Sequence, residues 1–314
     1  NDDSCQMIKS LFPEAKLIEN QQNYGFSKGN NIGVKAAKGN FICILNPDTI
    51  VPEDAFIKIL KFAETKDNLG IVGCKLIDGR GQFLPESKRN IPFPIVALKK
   101  LLGFDSSYYS NAVKSQDLGK VDILVGAFMF LKREVYNRVN GFDEDYFMYG
   151  EDVDLSYKIL KAGYDNYYFG KTSVIHFKGE STLKNPEYAK RFYGAMQIFY
   201  KKHFKQNWFF DVTVNVGVFF ASKLWRATSK TQALYKTVVL YTSSKQIDIS
   251  TVVSKPLSYE TDLNGQVTDE TLVIYDLNSL DIAAVIAHME RNSMYSNVYY
   301  RFLSKSTNFM LGSD

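Results

Sequence analysis

FICILNPDTIVPEDAFIKILKFAETKDNLGIVGCKL, residues 41–76, sets out strand, helix and strand in one stretch. Phe41–Leu45 is a continuous apolar run, bounded by Gly39 before it and by Asn46-Pro47 after it. An unbroken apolar run of this length reads as a strand buried on both faces, as in a parallel sheet. Pro52–Thr65 follows with Phe56, Ile59, Leu60 and Phe62 near helical spacing, and Leu69–Leu76 returns as a second strand. Alternation of this kind predicts an α/β fold with a mostly parallel sheet flanked by helices.

The pattern extends in both directions. Upstream, the periodicity predicts a helix at Ser4–Leu11, a short strand at Lys16–Glu19, a polar loop at Asn20–Asn23, and a helix running to Ala37 with Gly39 as its stop. The chain opens on NDDSC with helical periodicity at once and no strand before it. It therefore reads as a fragment whose first strand is missing. Downstream, Asp78–Gly81 is a turn, and Gln82–Lys120 is irregular, with three of the eight prolines. Long irregular segments of this type are often loops over a site. Val121–Leu131 reads as a strand, Arg133–Val139 and Glu151–Ala162 as helices with Gly141 and Gly163 as stops, Tyr167–Phe169 and Ser173–His176 as strands, and Pro186–Lys202 as a helix.

Trp208–Trp225 is apolar but interrupted by Asp211 and Asn215, and basic residues flank it. It is short of the roughly 20 apolar residues that a spanning helix needs. Packing on the main body is the favoured reading, and peripheral contact with an anionic membrane face is the competing one. Beyond it, residues 237–242, 271–277 and 297–303 read as strands, Leu280–Glu290 as a helix, and NFMLGSD as a last strand. The expected organisation is a main domain at 1–205, an amphipathic helical linker at 206–230, and a small α/β unit at 231–314.

Composition narrows the function classes. Apolar residues make up 45% of the 314, enough for a sizeable core. A net charge of +4 without a clustered basic face does not suit a nucleic-acid binder. The 23 Phe and 20 Tyr read first as an aromatic-rich core, and second as stacking surfaces for sugars. Cys5, Cys43 and Cys74 form no framework or metal spacing and point to a reducing, cytoplasmic compartment.

Four motifs could carry chemistry. Asn46-Pro47-Asp48-Thr49 lies at the carboxyl end of a buried strand, where ligands bind in open α/β sheets. An Asp there can hold Mg²⁺ or Mn²⁺ shared with diphosphate oxygens, or can simply cap the next helix. GFDEDYFMYGEDVDLSYK, residues 141–158, gathers six carboxylates with Phe142, Tyr146, Phe147 and Tyr149. Acids interleaved with aromatics suggest a polar site with apolar walls. Glu151-Asp152 opens its helix, where an ionised carboxylate is favoured and can serve as a general base; ordinary capping is the bland alternative. His176 closes an apolar strand, and Val125-Gly126-Ala127 lets backbone approach a ligand.

Taken in order, NYGFSKGNNIGVKAAKGNFICILNPDT, VGAFMFLKREVYNRVNGFDEDYFMYGEDVDLSYKILKAGY and VIHFKGES closely resemble family 2 glycosyltransferases of the rhamnosyltransferase-like branch, over about Asn1–Tyr200. The resemblance implies a GT-A fold, a Rossmann-like nucleotide-binding sheet fused to an acceptor-binding half. It places Asp48 as the second acid of the DxD motif, with Asn46 where the first acid usually stands, and His176 beside the metal or diphosphate. It implies Asp152 as catalytic base with Glu151 beside it. Asn23, Gly25, Lys28, Asn30, Asn31 and Asp48 fall on the donor side; Gly126, Ala127, Phe142, Asp143 and Glu144 fall on the acceptor side. The implied cofactor is a divalent cation, Mg²⁺ or Mn²⁺. The implied partners are a dTDP- or UDP-linked sugar and a glycan or lipid-linked acceptor of bacterial surface polysaccharide synthesis, met in the cytoplasm at the inner face of the membrane. The base-binding half of the donor pocket is expected to lie outside the chain, which should bind nucleotide sugar poorly.

Two other classes compete. A nucleotidyltransferase would need a Gly-rich phosphate loop, and GFSKGNN has Gly and Lys without that pattern. A non-catalytic carbohydrate-binding protein on the same fold would have little need for Asp48, Asp152 and His176 together.

Overall fold

The computed structural model describes residues 3–93, 95–96, 99, 106–177, 186–204, 234–244, 247, 249, 253–295, 297–304 and 309–312. Trp208–Trp225 and the linker around it lie outside the described residues. Among the described residues no helix is long and apolar enough to cross a membrane.

The chain runs α1 (Ser4–Leu11), α2 (Gly25–Ala36), β1 (Phe41–Leu45), β2 (Thr49–Ile50), α3 (Ala55–Ala63), β3 (Leu69–Ile77), β4 (Leu118–Lys120), β5 (Phe128–Lys132), α4 (Arg133–Arg138), α5 (Glu151–Lys161), β6 (Asp165–His176) and α6 (Pro186–His203). It continues with β7 (Thr237–Tyr241), β8 (Leu257–Glu260), β9 (Thr271–Asp276), α7 (Ile282–Asn292), β10 (Val298–Leu303) and β11 (Met310–Leu311). Two sheets result.

The first sheet has the order β1-β5-β3-β6-β2, with β4 also on β6. Its parallel pair is β3–β6; β1–β5, β3–β5, β4–β6 and β2–β6 run antiparallel. Both faces are covered. Ile42, Ile44, Ile71 and Leu131 pack with Val34, Val135, Leu155 and Ile159 from α2, α4 and α5. Phe41, Cys43, Val72 and Phe130 face the other way, onto Ile59 and Ala63 of α3. The α/β class expected from residues 41–76 is met. β3 is buried throughout, but β1 is less buried than its apolar run implies: Ile42 and Ile44 are buried, Phe41 and Cys43 half-buried, and Leu45 at the strand end exposed.

The second sheet has the order β11-β10-β9-β7-β8, parallel except at β10–β11. Strand alternation gives it two faces. Val238, Leu240, Leu272 and Ile274 face one core. Tyr241, Val273, Tyr275, Tyr300 and Phe302 face another, which also takes in Val285, Ile286 and Met289 of α7 and Ile77, Ile175 and Phe177 of the first sheet.

Three local expectations are corrected. Lys16–Glu19 forms no strand; it is largely exposed and has no ladder partner among the described residues. The predicted strand Val121–Leu131 is a strand only from Phe128. Before it, Val121 bonds to Asn166, Ile123 exchanges hydrogen bonds with Arg89, and the Leu124 N–H goes to Ser156 Oγ. The two short strands at 167–176 are one strand, whose register against β3 shifts between Phe169 and Ser173.

Candidate active site

The irregular stretch before β5 forms the floor of the site. Asn46, just past β1, donates its N–H to Ala127 O at 3.0 Å. One residue earlier, Gly126 donates its N–H to Asp152 Oδ2 at 3.1 Å. Backbone at 126–127 therefore joins the end of β1 to the start of α5. A Cβ at Gly126 would make ordinary van der Waals contact with the Phe26 ring at 3.4 Å and with Asp152 Cβ at 3.5 Å, so this backbone lies directly against both side chains.

Asp152 is held on both oxygens. Oδ2 also accepts from Arg89 Nη2 at 2.6 Å, and Oδ1 from the Val153 N–H at 2.8 Å. The side chains of Arg89 and Asp152 are only 8% and 12% exposed, so this pair is shielded from water. The same Arg89 nitrogen bonds to Leu124 O at 2.8 Å. Burial pulls the guanidinium downward, and Asp152 and Tyr108 together more than offset it, so Arg89 stays cationic. A carboxylate has about four lone-pair sites, and three on Asp152 are taken, which leaves one open. Glu151, its neighbour, is buried with Oε2 unpartnered among the described residues. Burial first, and the negative charge of Asp152 second, push its carboxyl up to about 8.

The start of α5 is set by Gly150, whose φ of +79° turns the chain into the helix. That conformation is one an L side chain rarely adopts. The helix then carries Glu151, Asp152 and Asp154 in its first turn, where the dipole favours negative charge.

On the β1 side, Asp48 Oδ1 and His176 Nε2 lie 3.5 Å apart, and Asn46 Nδ2 lies 3.5 Å from the same nitrogen. The backbone brings them together: Thr49 pairs with His176 in the β2–β6 ladder, and the Phe177 N–H donates to Asp48 O at 2.9 Å. The hydrogen bond with His176 holds the Asp48 carboxyl below its usual range, against the opposing effect of burial. Asp48 remains about one-third exposed, whereas His176 is buried with Nδ1 unpartnered among the described residues. No group of three or more His, Cys, Asp or Glu side chains that could hold a metal ion gathers among the described residues. One carboxylate and one imidazole, with the Asn46 amide beside them, fit a cation whose remaining ligands come from a substrate's diphosphate oxygens.

The structure sorts the remaining sequence-predicted residues into two groups. Asn23 Oδ1 accepts the Gly25 N–H at 2.9 Å, and Asn30 Nδ2 bonds to Phe26 O at 2.9 Å, so both shape the first turn of α2. Lys28 is exposed, 3.8 Å from Glu144 and over the Tyr24 ring. The Asn31 amide donates to Phe142 O and Glu144 Oε1 and accepts from Tyr136 Oη and the Phe142 N–H. Its polar capacity is spent on stapling α2 to residues 136–144. Phe142, expected on the acceptor wall, is 1% exposed and packs edge-on against Phe26 and Tyr136; it belongs to the scaffold. Asp143 lies 2.5 Å from Lys202, and Glu144 is exposed. Burial pushes the Asp143 carboxyl up, but Lys202 and the Asp145 N–H together hold it below its usual range.

Arg89 escaped sequence reasoning. Its one signal is a basic residue in a proline-rich segment that returns to the sheet, and its partner is 63 residues away.

Residues 1–192 match the family described as "Glycosyltransferase like family 2". The rhamnosyltransferase WbbL of Escherichia coli K12 is 32% identical over 170 residues, 49% of this chain and 61% of that protein. The N-acetylglucosaminyl-diphospho-decaprenol L-rhamnosyltransferase of Mycobacterium tuberculosis is 25% identical over 202 residues, 59% of this chain and 66% of that protein. The chain thus spans less than two thirds of the length of either relative. A mannosyltransferase of Pyrobaculum calidifontis, solved with GDP-Man and Mn²⁺, aligns with a TM-score of 0.45 at 16% identity, covering 72% of this chain and 64% of its own.

Proposed function

The chain belongs to glycosyltransferase-like family 2, and from that premise we propose that it moves a sugar from a nucleotide-diphosphate donor to a hydroxyl of a glycan or lipid-linked acceptor. The observation that carries the reading is Asp152, a buried carboxylate fixed by Arg89 and the Gly126 N–H on the backbone segment that also receives Asn46. On this reading Asp152 and the Asp48–His176 pair border one cleft.

In the proposed reaction the acceptor oxygen bonds to the anomeric carbon while the bond from that carbon to the diphosphate oxygen breaks. The acceptor's proton passes to the free lone pair of Asp152. Direct displacement of this kind inverts the anomeric configuration. Arg89 and Gly126 hold the carboxylate in place before substrate arrives, so little reorganisation is needed at the reacting step. A divalent cation, Mg²⁺ or Mn²⁺, held by Asp48 and His176 would supply positive charge against the departing diphosphate. The name of the mycobacterial relative, a decaprenol-linked rhamnosyltransferase, supports a lipid-linked acceptor; the inner face of the membrane is the proposed place of the reaction. A dTDP- or UDP-sugar is the proposed donor.

A panel of dTDP- and UDP-sugars with glycan and lipid-linked acceptors, read by release of nucleoside diphosphate, tests the reading. Asp152→Asn should cut turnover on the order of 10²–10⁴-fold, and NMR of the product should show the opposite anomer from the donor. Turnover by Asp152→Asn at the unmodified rate would remove the base assignment.

A further inference from the structure

We propose that the C-terminal unit, residues 237–311, is the back wall of the Asp48–His176 pair and holds that pair in register. The family match ends at residue 192, so nothing in it accounts for this unit. The effect on substrate rests on the glycosyltransferase reading; the structural part does not.

β2 is two residues long, with Thr49 opposite His176 and Ile50 opposite Ile175. Directly opposed residues share a face. Thr49 and His176 therefore face the cleft side, and Ile50 and Ile175 face the reverse. A ladder this short has little stability of its own. Its support comes from the reverse face, where Ile175 and Phe177 are buried in one cluster with Tyr241, Tyr275 and Phe302, and Ile50 packs onto it. Phe177 meets Phe302 edge-on at 5.7 Å. The residues flanking His176 thus lie in the core of the second sheet, while His176 itself faces Asp48.

The chain beyond β2 is tied as well. Glu53 accepts the N–H groups of Ile282 and Ala283, at 2.9 and 3.3 Å, at the start of α7. Further along α7, Glu290 takes both Lys75 of β3, at 2.7 Å, and Ser173 of β6, at 2.9 Å. The segment from Asp48 to Glu53 is therefore fastened at one end to β6 and at the other to α7. A unit that merely trailed the first sheet would have no reason to bury its largest aromatics against β6 and the residues of β2 that follow Asp48.

The two faces of the second sheet supply the test. Phe302→Leu thins the face toward Phe177, and Ile274→Val thins the opposite face of the same sheet. Hydrogen exchange read by mass spectrometry should rise several-fold in peptides covering 46–52 and 172–178 for Phe302→Leu and stay unchanged there for Ile274→Val. Glu53→Ala, an exposed change that leaves the core intact, should raise exchange in 46–52 alone. In the transfer assay, Phe302→Leu should raise donor KM about tenfold with kcat held within about twofold, since loosening the Asp48–His176 pair weakens donor binding while Asp152 stays in place. Equal exchange in the two core variants overturns the proposal. So does raised exchange with donor KM unchanged, when Asp48→Asn raises that KM in the same assay. If Asp48→Asn and His176→Asn both leave donor KM unchanged, the glycosyltransferase reading of the pair fails, and the exchange result alone decides the structural claim.

Discussion

Glu151 and Asp152 are adjacent carboxylates in one helical turn, and their surroundings divide the work between them. Asp152 has a guanidinium and two N–H groups on its oxygens. Glu151 has burial and a negative neighbour, and its carboxyl is pushed up to about 8. In the unfolded chain a Glu titrates near ~4.3. Between those values the folded protein holds a proton that the unfolded chain has released, so stability falls as pH rises across the window and levels above it. Glu151→Gln should flatten that slope, as measured by Tm against pH. Arg89 should show itself in the rate of transfer. Arg89→Lys keeps a cation near Asp152 but loses the planar guanidinium, and should retain part of the rate. Arg89→Ala removes both the cation and the hydrogen bond that fixes the carboxylate, and should lower kcat further than Arg89→Lys does. Equal kcat in the two variants would limit Arg89 to a packing role. Asp48, Asp152 and His176 drew notice in the sequence because each stands at an element end beside a recognisable motif. Arg89 did not, because its contact with Asp152 crosses the fold rather than lying among its neighbours. The contacts of Asn31 and Phe142 were equally illegible: a polar or aromatic residue next to a motif can be engaged in holding the motif's backbone.

α5 gathers both uses of carboxylates along one helix. Two residues after Asp152, Asp154 is fully buried, forms an ion pair with Lys158 at 3.1 Å and hydrogen-bonds to His203 of α6 at 2.6 Å. His203 in turn packs on Tyr157 and Phe199. Asp154 therefore docks α6 against α5 and keeps the helix carrying Asp152 from shifting. Removing one partner of a buried pair typically costs about 3–5 kcal/mol, so Asp154→Ala should lower unfolding free energy by roughly that amount in urea titration. Asp145→Ala, at an exposed pair with Lys202, should cost about 1 kcal/mol or less. Similar losses at both positions would contradict the docking role. The helices of this half were legible from apolar spacing, since each buries one stripe. Residues 121–127 were not: they are as apolar as a strand, but their N–H groups go to Asn166, Arg89, Ser156 and Asp152 instead of a ladder. Pattern alone cannot distinguish an apolar strand from an apolar site floor.

At the scale of the molecule, the sequence showed two α/β stretches but not how they meet. The answer is α7, which belongs by sequence to the second sheet yet also packs on the first. Val285, Ile286 and Met289 share one cluster with Ile77 and Ile175 on one side and Val273 and Tyr275 on the other. Across that apolar contact runs the Lys75–Glu290 pair, with side chains 9% and 28% exposed. A buried pair is a poor source of net stability, because desolvation offsets most of the attraction, but breaking it leaves an uncompensated charge. Lys75→Met should therefore destabilise by about 3 kcal/mol or more, whereas Lys75→Met with Glu290→Leu should recover most of the loss. The recovery would appear as a coupling energy in the double-mutant cycle, of the size expected for residues in contact. The same titrations carry a second reading. With one continuous core between the sheets, both halves should unfold in a single transition, and the m-value should be the same in all four proteins of the cycle. A second transition in Lys75→Met alone would mean that this pair, and not the surrounding apolar cluster, is what joins the halves.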